Sequence, residues 1–226
     1  MPTATMLEDL DRQGFALVEG LVDARSCVAL AALFDEDQLF RSTVDMARHR
    51  FGEGRYRYFA NPLPSEVSDL RGRLYPPLAG LANDWSARLG LPGEPYPSSL
   101  AAYQDRCARV GQCKPTPLLL QYGPGGYNCL HQDLYGDEAF PFQLTVMLSA
   151  EEDYEGGEFL LVEQRPRSQS RGTALRLVQG AAVVFPTRWR PMAGGRGWYR
   201  ATIRHGVSTI TAGCRTTLGV IFHDAA

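Results

Sequence analysis

Residues 117–133 read PLLLQYGPGGYNCLHQD, and the fold turns on how this stretch is parsed. Two short apolar runs flank a Gly-Pro-Gly-Gly cluster that can only be a turn, because Gly and Pro punctuate extended structure. After it the chain continues in the same manner, with runs at 118–122, 127–133, 142–149, 158–163, 173–178, 181–185, 198–205 and 215–223, bounded by Gly, Pro and Asp. Eight short strands in about 110 residues predict an antiparallel jelly roll. Upstream of residue 117 the spacing is helical, at 7–13, 24–39, 70–89 and 98–110, with Ser98 and Ser99 as N-cap candidates and short strands at 15–18 and 55–59.

Parity within the strands assigns faces. Along 142–149, Leu144, Val146 and Leu148 share one side while Gln143, Thr145 and Met147 share the other; along 215–223, Leu218, Val220 and Phe222 oppose Arg215, Thr217 and Gly219. One wholly apolar face per strand means that this sheet is covered on both sides. In 199–205, by contrast, Arg200, Thr202 and Arg204 form a polar face opposite Tyr199, Ala201, Ile203 and His205, so the second sheet meets water. The expected fold is α+β: a double-stranded β-helix (jelly-roll, cupin-like) with N-terminal helices packed on the larger sheet. It reads as one domain over 1–226, with 1–116 a mainly helical support layer and 117–224 the barrel.

Composition narrows the function classes. At 226 residues, 44% hydrophobic and 21% charged, the chain can bury roughly 70% of its open surface, so it needs no disulfide framework. A net charge of −2 argues against a broad phosphate-binding field, although a local basic groove is compatible with it. Lys114 is the single lysine, so nearly all positive charge is arginine. Five cysteines without a Cys-x-x-Cys pair (Cys27, Cys107, Cys113, Cys129, Cys214) fit a reducing compartment. No basic-then-apolar leader is visible, and no run approaches the roughly 18 apolar residues of a membrane helix, so the expected location is cytoplasmic, without a membrane.

The chemistry concentrates in His131-x-Asp133. Strand periodicity sends both side chains to one face, and His205, 72 residues beyond Asp133, ends a later strand on the interior face. Two imidazoles and one carboxylate leave metal positions open, which suits non-haem Fe(II) and O2 chemistry. Arg215, ten residues after His205, also points inward. No inward acid beyond the metal ligand is evident to pair it, and a buried guanidinium is costly alone. The missing carboxylate could belong to a small ligand, and a dicarboxylic keto acid could chelate iron at one end and meet Arg215 at the other.

His131-x-Asp133, His205 and Arg215, with Tyr122 nine residues before the first ligand, resemble the iron/2-oxoglutarate dioxygenases over roughly residues 118–222. Gly156-Gly157-Glu158-Phe159, residues 180–185 and His205-Gly206-Val207 resemble the prolyl-hydroxylase branch. Residues 121–125 with 130–133 are similar to the oxidative demethylases of alkylated nucleic acids. Residues 157–171 and 205–224 resemble a group of bacterial oxygenases with a proposed damaged-DNA role. The resemblance implies that His131, Asp133 and His205 hold Fe(II), that 2-oxoglutarate and O2 occupy the remaining positions, and that decarboxylation to succinate and CO2 leaves an oxidant for a substrate C–H. It also implies that Arg215 clamps the distal carboxylate, helped by the hydroxyls of Tyr122 and Thr217, with ascorbate as an accessory reductant.

The substrate reading favours a peptide or amino-acid side chain, because the sequence beyond Asp133 resembles prolyl hydroxylases and the net charge is acidic. Oxidative demethylation of an alkylated nucleobase is the alternative. A cupin-type metal enzyme without 2-oxoglutarate is a second alternative, and a barrel that has lost its chemistry is a third. Elsewhere the bland readings prevail: His49 is a surface residue, His223 and Asp224 point to opposite faces and make no second metal pair, and Gly123-Pro124-Gly125-Gly126 is a turn rather than a phosphate loop. In Arg55-Tyr56-Arg57-Tyr58-Phe59, alternation puts arginines outside and aromatics inside. The arginine-bearing loops 164–172 and 191–197 join strands near the expected barrel mouth and are candidate substrate lids.

Overall fold

The computed structural model describes residues 3–226. Its first half runs α1 (Thr3–Gln13), β1 (Ala16–Val18), α2 (Ala24–Ala32), β2 (Phe40–Asp45), β3 (Gly52–Glu53), β4 (Arg55–Phe59), α3 (Ser65–Leu89) and α4 (Leu100–Arg109). The second half is β5 (Leu118–Tyr122), β6 (Tyr127–His131), β7 (Phe142–Met147), β8 (Tyr154–Gly156), β9 (Phe159–Gln164), β10 (Arg171–Leu175), β11 (Ala182–Pro186), β12 (Trp189–Gly194), β13 (Gly197–Val207), β14 (Ile210–Gly213) and β15 (Arg215–Ile221). The larger sheet has the order β1-β11-β7-β15-β5-β4-β2; the smaller has β10-β9-β13-β6-β3, with β12 added to β13.

The helices cover the outer face of the larger sheet. Leu144, Val146 and Leu148 of the β7 segment and Leu218, Val220 and Phe222 of the β15 segment share one core with Leu70, Leu74 and Trp85 of α3, as parity predicts. The buried face of α3 recurs at helical spacing, from Val67, Leu70 and Arg71 to Leu78, Ala82 and Trp85. Ser99 caps α4 by accepting from the Ala102 N–H at 3.3 Å, one of the two expected caps. The smaller sheet keeps its outer face in water: Arg200 and Arg204 are exposed while Ala201, Ile203 and His205 are buried.

Four expectations are corrected. The helix expected over 24–39 stops at Ala32 and gives way to two 3-10 turns, Leu33–Asp35 and Asp37–Leu39, with Glu36 at φ −94°, ψ 84° between them. Apolar spacing persists there, but the acidic run Asp35-Glu36-Asp37 gains nothing from continuing the helix, and Phe40 onward joins β4 as a strand absent from the sequence reading. The 191–197 segment is no lid: it forms β12 and the turn of a hairpin with β13. Neither it nor 164–172 lines the barrel cavity. Arg57 is not solvated; its guanidinium lies 4.3 Å over Phe40 and pairs with Asp37 at 2.6 Å. Among the described residues no helix is long and apolar enough to cross a membrane, and all five cysteines are free.

Candidate metal and cosubstrate site

Between the sheets lies a cavity of about 390 Å³ whose wall collects the inward-facing residues of both. His131 on β6 and His205 on β13 stand opposite each other in register, with ring centroids 4.1 Å apart. Asp133, just past β6, completes the cluster: its Oδ1 is 3.4 Å from His131 Nε2 and its Oδ2 is 3.2 Å from His205 Nε2. One ligand atom from each of the three lies within 4.8 Å of the others, a grouping that can hold a metal ion.

Local contacts aim these side chains. His131 Nδ1 lies 2.8 Å from the Cys129 carbonyl; donation there leaves the Nε2 lone pair facing Asp133, the arrangement that fixes a ligating imidazole. Packing sets the His205 ring, 4.7 Å from Phe185 and 5.9 Å from Phe159. Asp133 Oδ1 also accepts a hydrogen bond from Tyr135 Oη at 2.8 Å, and Tyr135 Oη in turn accepts one from Tyr58 Oη at 3.1 Å. Burial alone raises the Asp133 carboxyl, but hydrogen bonds and charge from His131 and His205 hold it well below the usual carboxylate range. Burial, reinforced by the Asp133 charge, keeps Tyr135 protonated and therefore a donor.

At the closed end of the barrel, Arg215 pairs in register with Tyr122. The guanidinium is fully buried, and none of its three nitrogens has a hydrogen-bond partner among the described residues. Burial lowers its pKa, opposed by the Tyr122 and Tyr154 phenols, Tyr154 being a close polar neighbour that falls short of hydrogen-bond geometry. A Cβ at Gly157, which sits at φ +67°, would lie 2.7 Å from Arg215 Cδ, so a glycine makes room for the side chain. Burial pushes the Tyr122 phenol up to about 12. Its oxygen accepts from Asn128 Nδ2 at 3.3 Å, leaving its proton free for an acid. Thr217 follows Arg215 on the same face and lines the cavity, buried.

All six residues singled out from the sequence therefore meet one cavity. Gln143 and Thr145 line it too, whereas Met147, on the same face, is buried in the cluster with Phe159 and Phe185. The expectation of no further inward acid is corrected: Glu163 points inward on β9, but Arg190 at 2.9 Å and Arg165 at 2.7 Å occupy it. His49 is exposed and makes no contribution to the cavity wall. His223 is buried but lies outside the wall, with its Nδ1 accepting from the Phe140 N–H at 3.2 Å. Sequence reasoning missed Tyr135 and Asn128. Tyr135 follows Asp133 at the same two-residue interval that links Asp133 to His131, and that signal was available.

Two nitrogen donors and one carboxylate on one side of a site fit Fe(II) with open positions. An orphaned buried guanidinium in the same cavity fits the distal carboxylate of a keto diacid.

Comparison with known proteins agrees. Two uncharacterized proteins from Mycobacterium tuberculosis, one from each of two strains, are 51% identical over 169 residues, covering 74% of this chain and 72% of theirs. A Burkholderia pseudomallei oxidoreductase of the 2OG-Fe(II) oxygenase family superposes with a TM-score of 0.59 at 17% identity, over 99% of this chain and 93% of that one. A Pseudomonas putida prolyl-4-hydroxylase superposes with a TM-score of 0.55 at 15% identity over the whole of both chains; these likenesses establish the fold. Residues 54–225 match the Oxygenase-NA family, described as an oxygenase catalysing oxidative methylation of damaged DNA. The chain belongs to the Oxygenase-NA family, within the 2-oxoglutarate/Fe(II) oxygenases.

Proposed function

We propose that this oxygenase binds Fe(II) through His131, Asp133 and His205, seats the distal carboxylate of 2-oxoglutarate on Arg215, and oxidises a methyl group on an alkylated base of a nucleic acid. The observation that carries the cosubstrate reading is the Arg215 guanidinium, shut from water without a partner in the cavity that also holds the triad. When bound, Fe(II) with 2-oxoglutarate and O2 would supply the C–H oxidant, CO2 being lost while one oxygen atom of O2 goes to succinate and the other to the substrate carbon. An enzyme that inserts oxygen into a C–H bond removes an N-methyl group rather than adding one. The N-hydroxymethyl product breaks its N–C bond, the hydroxyl proton passes to the nitrogen, and formaldehyde leaves.

The residues divide the work. Arg215 neutralises and orients the diacid, Tyr122 donates its free phenolic proton to it, and the nearby Thr217 hydroxyl adds a second donor. Phe159 and Phe185 keep water from the His205 side. Tyr56, Tyr58 and Tyr135 give the rest of the cavity an aromatic wall, suited to a planar base. Gln143, buried and with its Nε2 lacking a partner among the described residues, offers an amide to the edge of such a base. The damaged-DNA description of the matched family turns the proposal toward a nucleobase, where the sequence reading favoured a peptide.

Anaerobic titration with Fe(II) and then 2-oxoglutarate tests the cofactor reading. A visible charge-transfer band is expected, lost in His131→Ala and in Arg215→Ala. For the substrate, succinate release is expected to rise with methylated oligonucleotide and not with proline-rich peptide; the reverse result restores the peptide reading and ends the nucleobase one.

A further inference from the structure

The inner face of the smaller sheet carries the triad, and its outer face carries a feature that the chemistry does not use. Arg188, exposed just before β12, lies with its Cζ 3.8 Å from the centroid of the Trp189 ring; Arg200 on β13 lies 4.5 Å from the same ring. Trp189 stands in register with Thr202, on the same outward parity as Arg200 and Arg204. Among the described residues, Arg188, Arg200 and Arg204 form no ion pair. No Asp or Glu takes an outward position on β6, β9, β12 or β13. A chain of net charge −2 thus gathers three unpaired guanidiniums on one solvated face, two of them held against an aromatic ring that limits their rotamer freedom.

The backbone under this face is tied to the cavity wall. Gln132, between His131 and Asp133, lines the cavity and donates from Nε2 to the carbonyls of Arg188 at 3.0 Å and Ile203 at 2.8 Å. Arg204 immediately precedes His205. Arg50 and Phe51 also line the cavity, Phe51 half exposed and stacked at 5.5 Å on His49.

We infer that the outer face of the smaller sheet, through Arg188, Arg200 and Arg204, binds the sugar-phosphate backbone of a nucleic-acid strand whose neighbouring base enters the cavity. This rests on the nucleic-acid reading above and adds to it a surface outside the reaction site. Always-charged guanidiniums without an acidic partner suit the phosphates of a strand, and the aromatic neighbour suits the mixed polar and apolar surface of a nucleotide.

The test measures fluorescence anisotropy of a labelled single-stranded 15-mer DNA across a salt series. Replacing three phosphate contacts in the variant Arg188→Gln, Arg200→Gln, Arg204→Gln is expected to weaken binding about tenfold or more and to flatten the slope of log K against log salt by about 2. The same variant keeps the Fe(II)/2-oxoglutarate charge-transfer band and the succinate formed without substrate, which shows that it is folded. Unchanged affinity and slope in the variant overturn the inference, as does equal displacement of the DNA by poly-glutamate. If wild type binds and the variant does not, yet no methylated oligonucleotide is oxidised, the surface stands and the proposed reaction falls. If wild type binds no oligonucleotide, both fall.

Discussion

Of the buried guanidiniums among the described residues, the two most enclosed are Arg71 at 1% exposure and Arg215 at 0%, and their surroundings could hardly differ more. Arg71, in the core between α3 and the larger sheet, donates to the carbonyls of Ile221 at 3.1 Å and Phe222 at 2.7 Å, and to Asp224 Oδ1 at 2.6 Å. Arg215, in the barrel on the other side of the same sheet, has no hydrogen-bond partner among the described residues. Desolvating a guanidinium costs several kcal/mol wherever it happens. In the first region the protein repays that cost itself, so the charge is a clamp between layers. In the second the repayment is missing, and a ligand carboxylate is the group that would supply it.

That contrast predicts opposite consequences for the same substitution. Arg215→Met is expected to lower 2-oxoglutarate affinity about 10²- to 10³-fold, because it removes one partner of a buried pair worth about 3 to 5 kcal/mol in the complex, while the apoprotein unfolds at equal or higher denaturant. Arg71→Met is expected to leave the band titration unchanged and to cost about 3 to 5 kcal/mol of fold stability, since Asp224 is left buried without its cation. Denaturant midpoints and the charge-transfer titration on both variants check this. Equal losses of stability would make Arg215 an ordinary structural residue, and the comparison would collapse.

A second probe uses pH, at the seam between the two regions, where the His223 ring lies 6.0 Å from that of Tyr135. His223 is buried beside Arg71's partners, and burial, aided by the Arg71 charge and opposed by Asp133, lowers its pKa from 6.5 to about 4. The unfolded chain takes up a proton below about 6.5 that the fold refuses until about 4. Stability is therefore intact above neutrality and falls as pH drops through that window, by roughly 3 kcal/mol at most. His223→Gln is expected to flatten the pH dependence of the apoprotein's denaturation midpoint between pH 7 and 4.5. An unaltered slope would place the acid sensitivity elsewhere.

Much of this division was legible in the sequence, because a strand's period of two is a local property. Leu218, Val220 and Phe222 against Arg215, Thr217 and Gly219 already separated the helix side from the barrel side, and His131-x-Asp133 follows the same rule. What parity could not reveal was depth. Gln143 and Met147 share a face, yet Met147 is walled in by Phe159 and Phe185 while Gln143 reaches the cavity; that difference comes from residues distant in sequence. The outward basic face was visible as alternation in β13, but its link to Trp189 required β12, a hairpin strand that the Gly and Pro content of 191–197 disguised as a loop. Likewise the satisfaction of Arg71 depends on carbonyls about 150 residues away, which no local pattern encodes.

The finest test of the contrast concerns Tyr135, which hydrogen-bonds a candidate ligand rather than acting as one. Asp133 Oδ1 takes its hydrogen bond at 2.8 Å, and the Tyr58 hydroxyl leans on Tyr135 in turn. If the barrel interior is organised for a metal in the way that the helix side is organised for packing, removing that hydroxyl should disturb binding and not folding. Tyr135→Phe is expected to weaken Fe(II) affinity about 10- to 100-fold, the usual effect of losing a group that orients a ligating carboxylate, with the denaturation midpoint changed by less than about 1 kcal/mol. Tyr58→Phe, one hydroxyl further from Asp133, should show the same pattern at a smaller amplitude, and Fe(II) titration followed by calorimetry separates the two. A Tyr135→Phe protein that binds Fe(II) like wild type but melts early would make this tyrosine pair a packing element, and the barrel would then resemble the helix side after all.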